Sequence, residues 1–314
     1  MHAWMRVIKI VFTSKSLKKR LVFGTSELGN ELNITCTGYK YMSALKDTFT
    51  IKIDNLTYNE ITQLVMGQFY DVEIWAGYQN GNINKVFEGG VLYITNKPNT
   101  NKTNTAIILC ASSLVAKYGQ NRINLTLNSG INLYSAIEFI CRRAGIPNSN
   151  VSTQFKKEFV NEITTVNDNV GNWLDKLASN NNAYITNADG IASSVVSIFD
   201  AAKSNARIIK LKNSDISLTE SYPRLTSEGL ELTLLPTFNF MCGDIIEIDN
   251  SIIDISVSNR EEMMENYASY FSQKGQYMIY EMAYVLQNRG STFSLRLKCK
   301  NRDRITSYVG GDNG

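Results

Sequence analysis

One histidine, His2, stands at the extreme N-terminus. Histidine is the only side chain that titrates near neutral pH without help, so most general-base and metal-binding arrangements would pass through it. A Ser-His-Asp or Cys-His site built on His2 would ask a frayed terminus to hold a base in register. The five cysteines, Cys36, Cys110, Cys141, Cys242 and Cys299, are odd in number and widely spaced, with no C-x-x-C pair. They offer no zinc set and read as reduced, buried thiols instead of a disulfide frame. Phosphate-loop, dinucleotide-loop and EF-hand sequences are all missing from the chain, which leaves no motif for a nucleotide or calcium.

Carboxylate pairs can still hydrolyse glycosides. The densest acids are Glu261, Glu262 and Glu265. They fall in the first turns of a predicted amphipathic helix, where acids meet the positive end of the dipole, so they read as capping residues. Tyr277, Tyr280 and Tyr284 could form a stacking platform for sugars or single strands. No basic residue interleaves them, and Tyr280 and Tyr284 alternate with Met278 and Met282 on one predicted strand face. A packed sheet or a subunit interface is the better home. The residues therefore call for no catalytic group, no cofactor and no metal.

The elements that carry these residues are mostly strands. Phe49, Ile51 and Ile53 alternate with polar neighbours, as do Leu230, Leu232 and Leu234, and Phe293, Leu295, Leu297 and Cys299. Each is a half-buried strand. Further strands are predicted around Leu32–Cys36, Val72–Ala76, Val91–Thr95, Ala106–Ala111, Ala183–Thr186, Val195–Phe199, Ile245–Asp249 and Tyr277–Tyr284. Turn residues at Asn80–Asn82, Asn187–Gly190 and Gly243-Asp244 separate them. Thr57 with Glu60 has capping-box spacing and opens a short helix. A second helix carries Leu133, Ile137, Ile140, Cys141 and Ala144, and ends at Gly145 and Pro147. A third carries Val170, Trp173, Leu174 and Leu177, and a fourth opens at Asn259 and Glu262 with Met263, Tyr267 and Phe271.

The predicted class is α+β, mainly β, in three parts: a strand-rich segment 1–115, an α+β insert 116–205, and a second strand-rich segment 206–314 with a frayed tail. A length of 314 residues with 43% hydrophobic side chains supports this many cores. The net charge of +3 is small for a dedicated nucleic-acid binder. The cluster Lys15, Lys18, Lys19 and Arg20 reads as a solvated loop. Val7–Phe12 is interrupted by Lys9 and followed by basic residues, the reverse of a signal peptide, and nothing approaches a membrane-spanning run. Folding in a cytoplasm, without membrane insertion, is the expectation.

The segment from Phe49 to Thr57 is a strand running into an Asn-Leu-Thr helix start. It is followed by Val72-Glu73-Ile74-Trp75-Ala76-Gly77-Tyr78 and then Val86-Phe87-Glu88-Gly89-Gly90-Val91. This series resembles the N-terminal barrel of contractile-tail baseplate hubs, the late-control protein D family of phage tails. The helix with Trp173 and Leu174 before a hairpin at Tyr184–Phe199 is similar to the family's middle. Gly229–Leu232 through Pro236, Gly243-Asp244 and Gly275–Ile279 resemble its C-terminal part.

The resemblance implies two tube-like antiparallel β-barrel domains flanking a small α+β insert. It implies a homotrimeric, non-enzymatic structural protein of the virion tail baseplate, assembled in the host bacterial cytoplasm. Such a ring joins the six-fold tail tube to the three-fold central spike. Its implied partners are its own copies, the tail tube protein, the central spike protein, the tape measure protein and baseplate wedge or other baseplate proteins, with DNA only in transit through the channel. A tail-associated cell-wall hydrolase and a glycan-binding β-protein are the alternatives. The residues expected to face partners are polar strand positions, Lys52, Glu73 and Arg296, because alternation turns them away from the core.

Overall fold

The computed structural model describes residues 6–24, 32–42, 47–79, 81–98, 103–112, 121–146, 148–151, 163–180, 183–188, 195–200, 206–217, 222–226, 229–236, 239–254 and 271–302. The predicted fourth helix and Glu261, Glu262 and Glu265 lie outside them, as does His2.

The first segment forms β1 (Arg6–Ser14), β2 (Lys19–Phe23), β3 (Asn33–Tyr41), β4 (Thr48–Leu56), α1 (Tyr58–Met66), β5 (Asp71–Tyr78), β6 (Ile83–Pro98) and β7 (Asn104–Ser112). The middle forms β8 (Arg122–Leu127), α2 (Leu133–Arg143), β9 (Asn148–Val151), β10 (Ile163–Asn169), α3 (Val170–Asn180), β11 (Ala183–Ala188) and β12 (Val195–Asp200). The last forms β13 (Ile208–Lys210), α4 (Asn213–Ser217), β14 (Arg224–Thr226), β15 (Gly229–Leu234), β16 (Ile245–Glu247), β17 (Gln276–Gln287) and β18 (Phe293–Asn301). The chain is mainly β, as the alternation predicts.

Local sequence sets the helix ends. The Thr57 backbone N–H donates to Glu60 Oε2 at 2.7 Å and the Glu60 N–H donates back to Thr57 Oγ1 at 3.3 Å, so the capping box is complete. The α2 helix starts where Asn132 Oδ1 accepts from the Ser135 N–H at 2.7 Å. It stops because Gly145 adopts φ 76°, letting Gly145 donate to the Arg142 carbonyl and Ile146 to that of Cys141. Along α2 and α3, the apolar stripes Leu133, Ile137, Ile140 and Val170, Trp173, Leu174, Leu177 face each other across a small core that includes Ile123 and Leu127 of β8.

The first and last segments share one sheet of 13 strands, ordered β14-β15-β18-β17-β3-β4-β7-β6-β5-β1-β2, with β16 and β13 branching from β17. All of its pairings are antiparallel except β13 with β16. Among the described residues, strands of the middle segment pair only with one another. Two long strands change partners partway. The sixteen-residue β6 pairs with β5 and then, from Gly89 onward, with β7. The β17 strand pairs with β16 over Gln276–Met278 and with β3 over Glu281–Gln287.

A bulge in β17 between Ile279 and Glu281 shifts its side-chain alternation. Tyr277 and Ile279 before the bulge, and Met282 and Tyr284 after it, all enter the main core. Met278 instead packs on the other side with Ile245. The expectation that Met278 and Met282 share a face with Tyr284 is therefore corrected by one inserted residue.

Among the described residues the ladder is one open path and holds no closed barrel. The arc from β3 to β1 nevertheless curls until both ends reach one turn, residues 287–292. From β3, the Ile34 N–H donates to Asn288 Oδ1 and Asn288 Nδ2 donates to the Leu32 carbonyl, both at 2.8 Å. From β1, the Arg6 guanidinium donates to the carbonyls of Gly290 at 2.6 Å and Ser291 at 3.2 Å. Its cross-strand neighbour Tyr78 meets Phe293 edge-on at 5.4 Å. Side chains, not backbone pairing, close this arc.

The seam between the two segments is filled by aromatics. Gly38 of β3 pairs with Phe49 on one side and Tyr284 on the other. The Phe49 ring lies 4.4 Å from Phe87 and 5.6 Å from Tyr284, centroid to centroid. A Cβ on Gly38 would stand 2.3 Å from Phe49 Cγ, so the ring covers the glycine. Gly38→Val is expected to cost about 1–3 kcal/mol through overpacking, read as a lower urea midpoint. A variant that unfolds like the parent would show that the seam tolerates a side chain there.

Candidate interaction surface

The described residues contain no group of three or more His, Cys, Asp or Glu able to hold a metal. Four thiols are buried, and burial pushes Cys36, Cys110 and Cys299 far above the ordinary thiol value and Cys141 up to about 12. Thiols held protonated in this way are poor nucleophiles and poor metal ligands. Cys242 is partly exposed, its Sγ 3.9 Å from the Tyr280 carbonyl.

What the sheet offers is surface. Its outer face across β6, β7, β4, β3, β17 and β18 carries Tyr93, Leu109, Thr50, Thr37 and Val285 in one cross-strand row. A neighbouring row holds Thr48, Tyr39, Ala283 and Arg296. Tyr39 and Tyr41 stack with centroids 6.0 Å apart and planes 20° apart, and Tyr39 is 44% exposed. Burial, and then Glu281, Tyr39 and Asp47, raise the Tyr41 hydroxyl above its ordinary value, so it stays a neutral phenol. Asp47 also accepts from the Tyr41 N–H at 2.8 Å.

The three residues expected to face partners all leave the core, yet they do not meet. Lys52 on β4 pairs with Asp54 at 3.1 Å. Glu73 on β5 accepts from Trp75 Nε1 at 3.0 Å. Arg296 on β18 pairs with Glu231 at 3.4 Å. Lys52 and Arg296 sit three ladder steps apart, about 14 Å along the hydrogen-bonding direction. Glu73 lies three steps from Lys52 on the other side. They mark a broad face and not a pocket. On the same face Lys298 pairs with Glu281 at 3.1 Å and Lys300 sits 5.3 Å from the Tyr280 ring. The cations of β18 are thus largely matched locally.

A second exposed patch was not expected. The α1 helix buries Ile61 and Leu64 but leaves Tyr58, Val65 and Met66 exposed, with Tyr70 following. Tyr70 accepts at its carbonyl from the Val91 N–H at 2.8 Å, which sets it beside exposed Leu92 and Tyr93. Aromatic and methionine side chains gathered on a surface mark protein contacts. The signal was present in the sequence as apolar residues at positions 58, 65 and 66, one stripe of the helix.

Asp54 fixes where β4 gives way to α1. It accepts from Thr105 Oγ1 at 2.8 Å on β7 and from Asn33 Nδ2 at 2.9 Å on β3, besides Lys52. Burial alone would raise its carboxyl, but the hydrogen bonds from Thr105 and Lys52 outweigh this and hold it below the ordinary carboxylate value.

No protein-family model and no curated protein matches the sequence. In fold the chain is similar to solved tail proteins. The 43 kDa tail protein of prophage MuSo2 from Shewanella oneidensis aligns over 95% of this chain and 98% of its own, with a TM-score of 0.58 at 10% identity. An Escherichia coli type VI secretion component, described as structurally similar to bacteriophage T4 tail proteins gp27 and gp5, aligns over 87% and 75%, with a TM-score of 0.55 at 9% identity. The Francisella PdpA–VgrG complex aligns over 95% of this chain and 58% of the matched one, with a TM-score of 0.56 at 11% identity. The shared property is the fold of these tail and secretion-system proteins.

Asp54→Asn is expected to lower stability by about 1–2 kcal/mol at neutral pH, through weaker charge-assisted bonds. Because the folded carboxyl titrates below its unfolded value, its stabilisation is full above about pH 4 and is lost as pH falls further. The gap between parent and variant should close below that pH in melting experiments. A gap independent of pH would contradict the ionic origin.

Proposed function

We propose that this chain is the structural baseplate hub of a phage tail or a phage-derived injection particle. It works as a ring-forming adaptor that joins the six-fold tail tube to a three-fold central spike and leaves a channel for tape measure and DNA. The observation that carries this reading is the end-to-end likeness to a phage tail protein, which covers nearly the whole of both chains. Segments 1–115 and 206–314 supply the two tube-like β units of each subunit, and 116–205 the α+β insert between them. Three copies would present six such units to the tube.

Three physical features support it. The arc from β3 to β1 curls until side chains tie both of its ends to residues 287–292, a curvature that a tube-like unit needs. The outer sheet face is broad, rich in threonine and aromatic side chains, and nearly charge-balanced along β18. Lys52, Glu73 and Arg296 belong to this partner-facing surface. A wall that lets DNA slide must avoid firm phosphate contacts, and locally paired cations meet that need. The work is done through interfaces, with no bond chemistry, in the virion tail. Partners are its own copies, the tube and spike proteins, the tape measure protein and other baseplate proteins.

Light scattering on the purified protein, alone and mixed with the tube and spike proteins of its locus, tests the reading. A species of three 35.3 kDa chains, alone or formed only with those partners, is expected. A monomer indifferent to both partners would overturn it. Lysis of bacterial walls or saturable glycan binding by that monomer would then favour the hydrolase or the glycan binder.

A further inference from the structure

The strands at the ends of the large sheet are not alike. β14 is shielded: the Leu225 N–H donates to the Asp254 carbonyl at 3.1 Å, and the Asp254 N–H donates to that of Pro223 at 2.7 Å. β13 offers only three residues. At the far end, β2 pairs with β1 and, among the described residues, with nothing on its other side. Its free backbone donors and acceptors are a template for one more strand.

This edge follows an anchored turn. In the turn before it, Lys15 reaches Asp71 at 3.4 Å, and Ser16 Oγ donates to Gln68 Oε1 at 3.2 Å. Lys18 takes up a left-handed φ of 51°. The hairpin is thus anchored to the connection between α1 and β5, and the ordering cost of binding is met in advance. Its charge is one-sided. Lys18, Lys19 and Arg20 are exposed, and among the described residues none of the three has a carboxylate partner. The sequence from Met1 to Ser26 contains no acid at all. Leu17 and Val22 add exposed apolar surface, 43% and 38% accessible.

From this combination we infer that the outer edge of β2 is a docking site for an extended, acidic segment of another protein, added as a further antiparallel or parallel strand. Backbone pairing supplies the affinity, the three cations select acidic side chains, and Leu17 and Val22 receive apolar ones. A second copy of this chain does not fit as donor, because the other edges of the same sheet carry Lys210 and Arg224 and would meet like charge. Duplex DNA matches the charge but has no backbone to pair with a strand edge. The inference stands on the edge alone and does not depend on the hub reading.

The probe is a short synthetic Glu–Val peptide repeating Glu-Glu-Val-Val, so that acids and valines appear on both faces of the added strand, compared with its Lys–Val counterpart and with a DNA duplex, added to the full chain. The Glu–Val peptide should bind, weaken with added salt, and slow amide hydrogen exchange across Lys19–Phe23. The variant K18E/K19E/R20E, altered only at exposed positions, should melt like the parent, bind the Glu–Val peptide about tenfold or more weakly, and prefer the Lys–Val peptide. Absence of binding would overturn the inference, showing that the lysines only guard the edge. So would binding without protection of the β2 amides, unchanged affinity in the variant, or preference for the duplex. Self-association lost in the variant would place a second copy on this edge and overturn the choice of partner.

Discussion

The seven-pair ladder between β3 and β17 is the constraint on which the rest of the molecule depends. It joins strands from opposite ends of the sequence, so its closure orders almost the whole chain and carries a loop-entropy cost that only later packing recovers. That packing is the single core fed by both segments, in which Ile34, Cys36, Phe49 and Ile51 meet Met282, Tyr284, Leu295 and Leu297. Gly38 lets Phe49 lie flat across the junction, and Arg6 and Asn288 tie the β17–β18 turn to both ends of the curled arc. Without the ladder neither tie would have a target.

The same constraint separates interior from surface. Each strand near the seam sends one set of side chains into the shared core, and this commits the opposite set to an extended outer face. Lys52, Arg296, Tyr39 and Leu109 sit on that face because their neighbours in sequence are needed inside. A face produced in this way is broad and shallow. It suits contact with other proteins more than the capture of a small molecule, for which convergent polar groups in a concave site are required. Of the charge pairs along β18, Arg296–Glu231 is largely exposed and contributes little stability by itself, while Lys298–Glu281 is partly buried. Their effect is to leave the face close to neutral.

Much of the fold was legible locally. Strands buried on one face, such as Phe49–Ile53, Leu230–Leu234 and Phe293–Cys299, show their period directly. The Thr57–Glu60 box and the Gly145 stop mark helix ends with short-range chemistry. β1 was missed because Val7, Ile8, Ile10, Val11 and Phe12 are buried on both faces, which removes the alternation. The bulge near Tyr280 reverses a face by one residue and has no local signature. The Arg6 clamp was unreadable because it depends on which turn the curled sheet delivers to β1. Alternation correctly turned Lys52, Glu73 and Arg296 outward. It could not say that register would scatter them over three different parts of the sheet.

The most direct test of the account is to see where the protein sits in a finished particle. Tails purified with this chain carrying an internal or terminal tag, imaged by electron cryomicroscopy, would locate it. The account predicts three copies at the tube's distal end, against the spike, with the outer sheet face and strand edges engaged by neighbours. Absence from the particle, or a position along the tube shaft or on peripheral fibres, would contradict it.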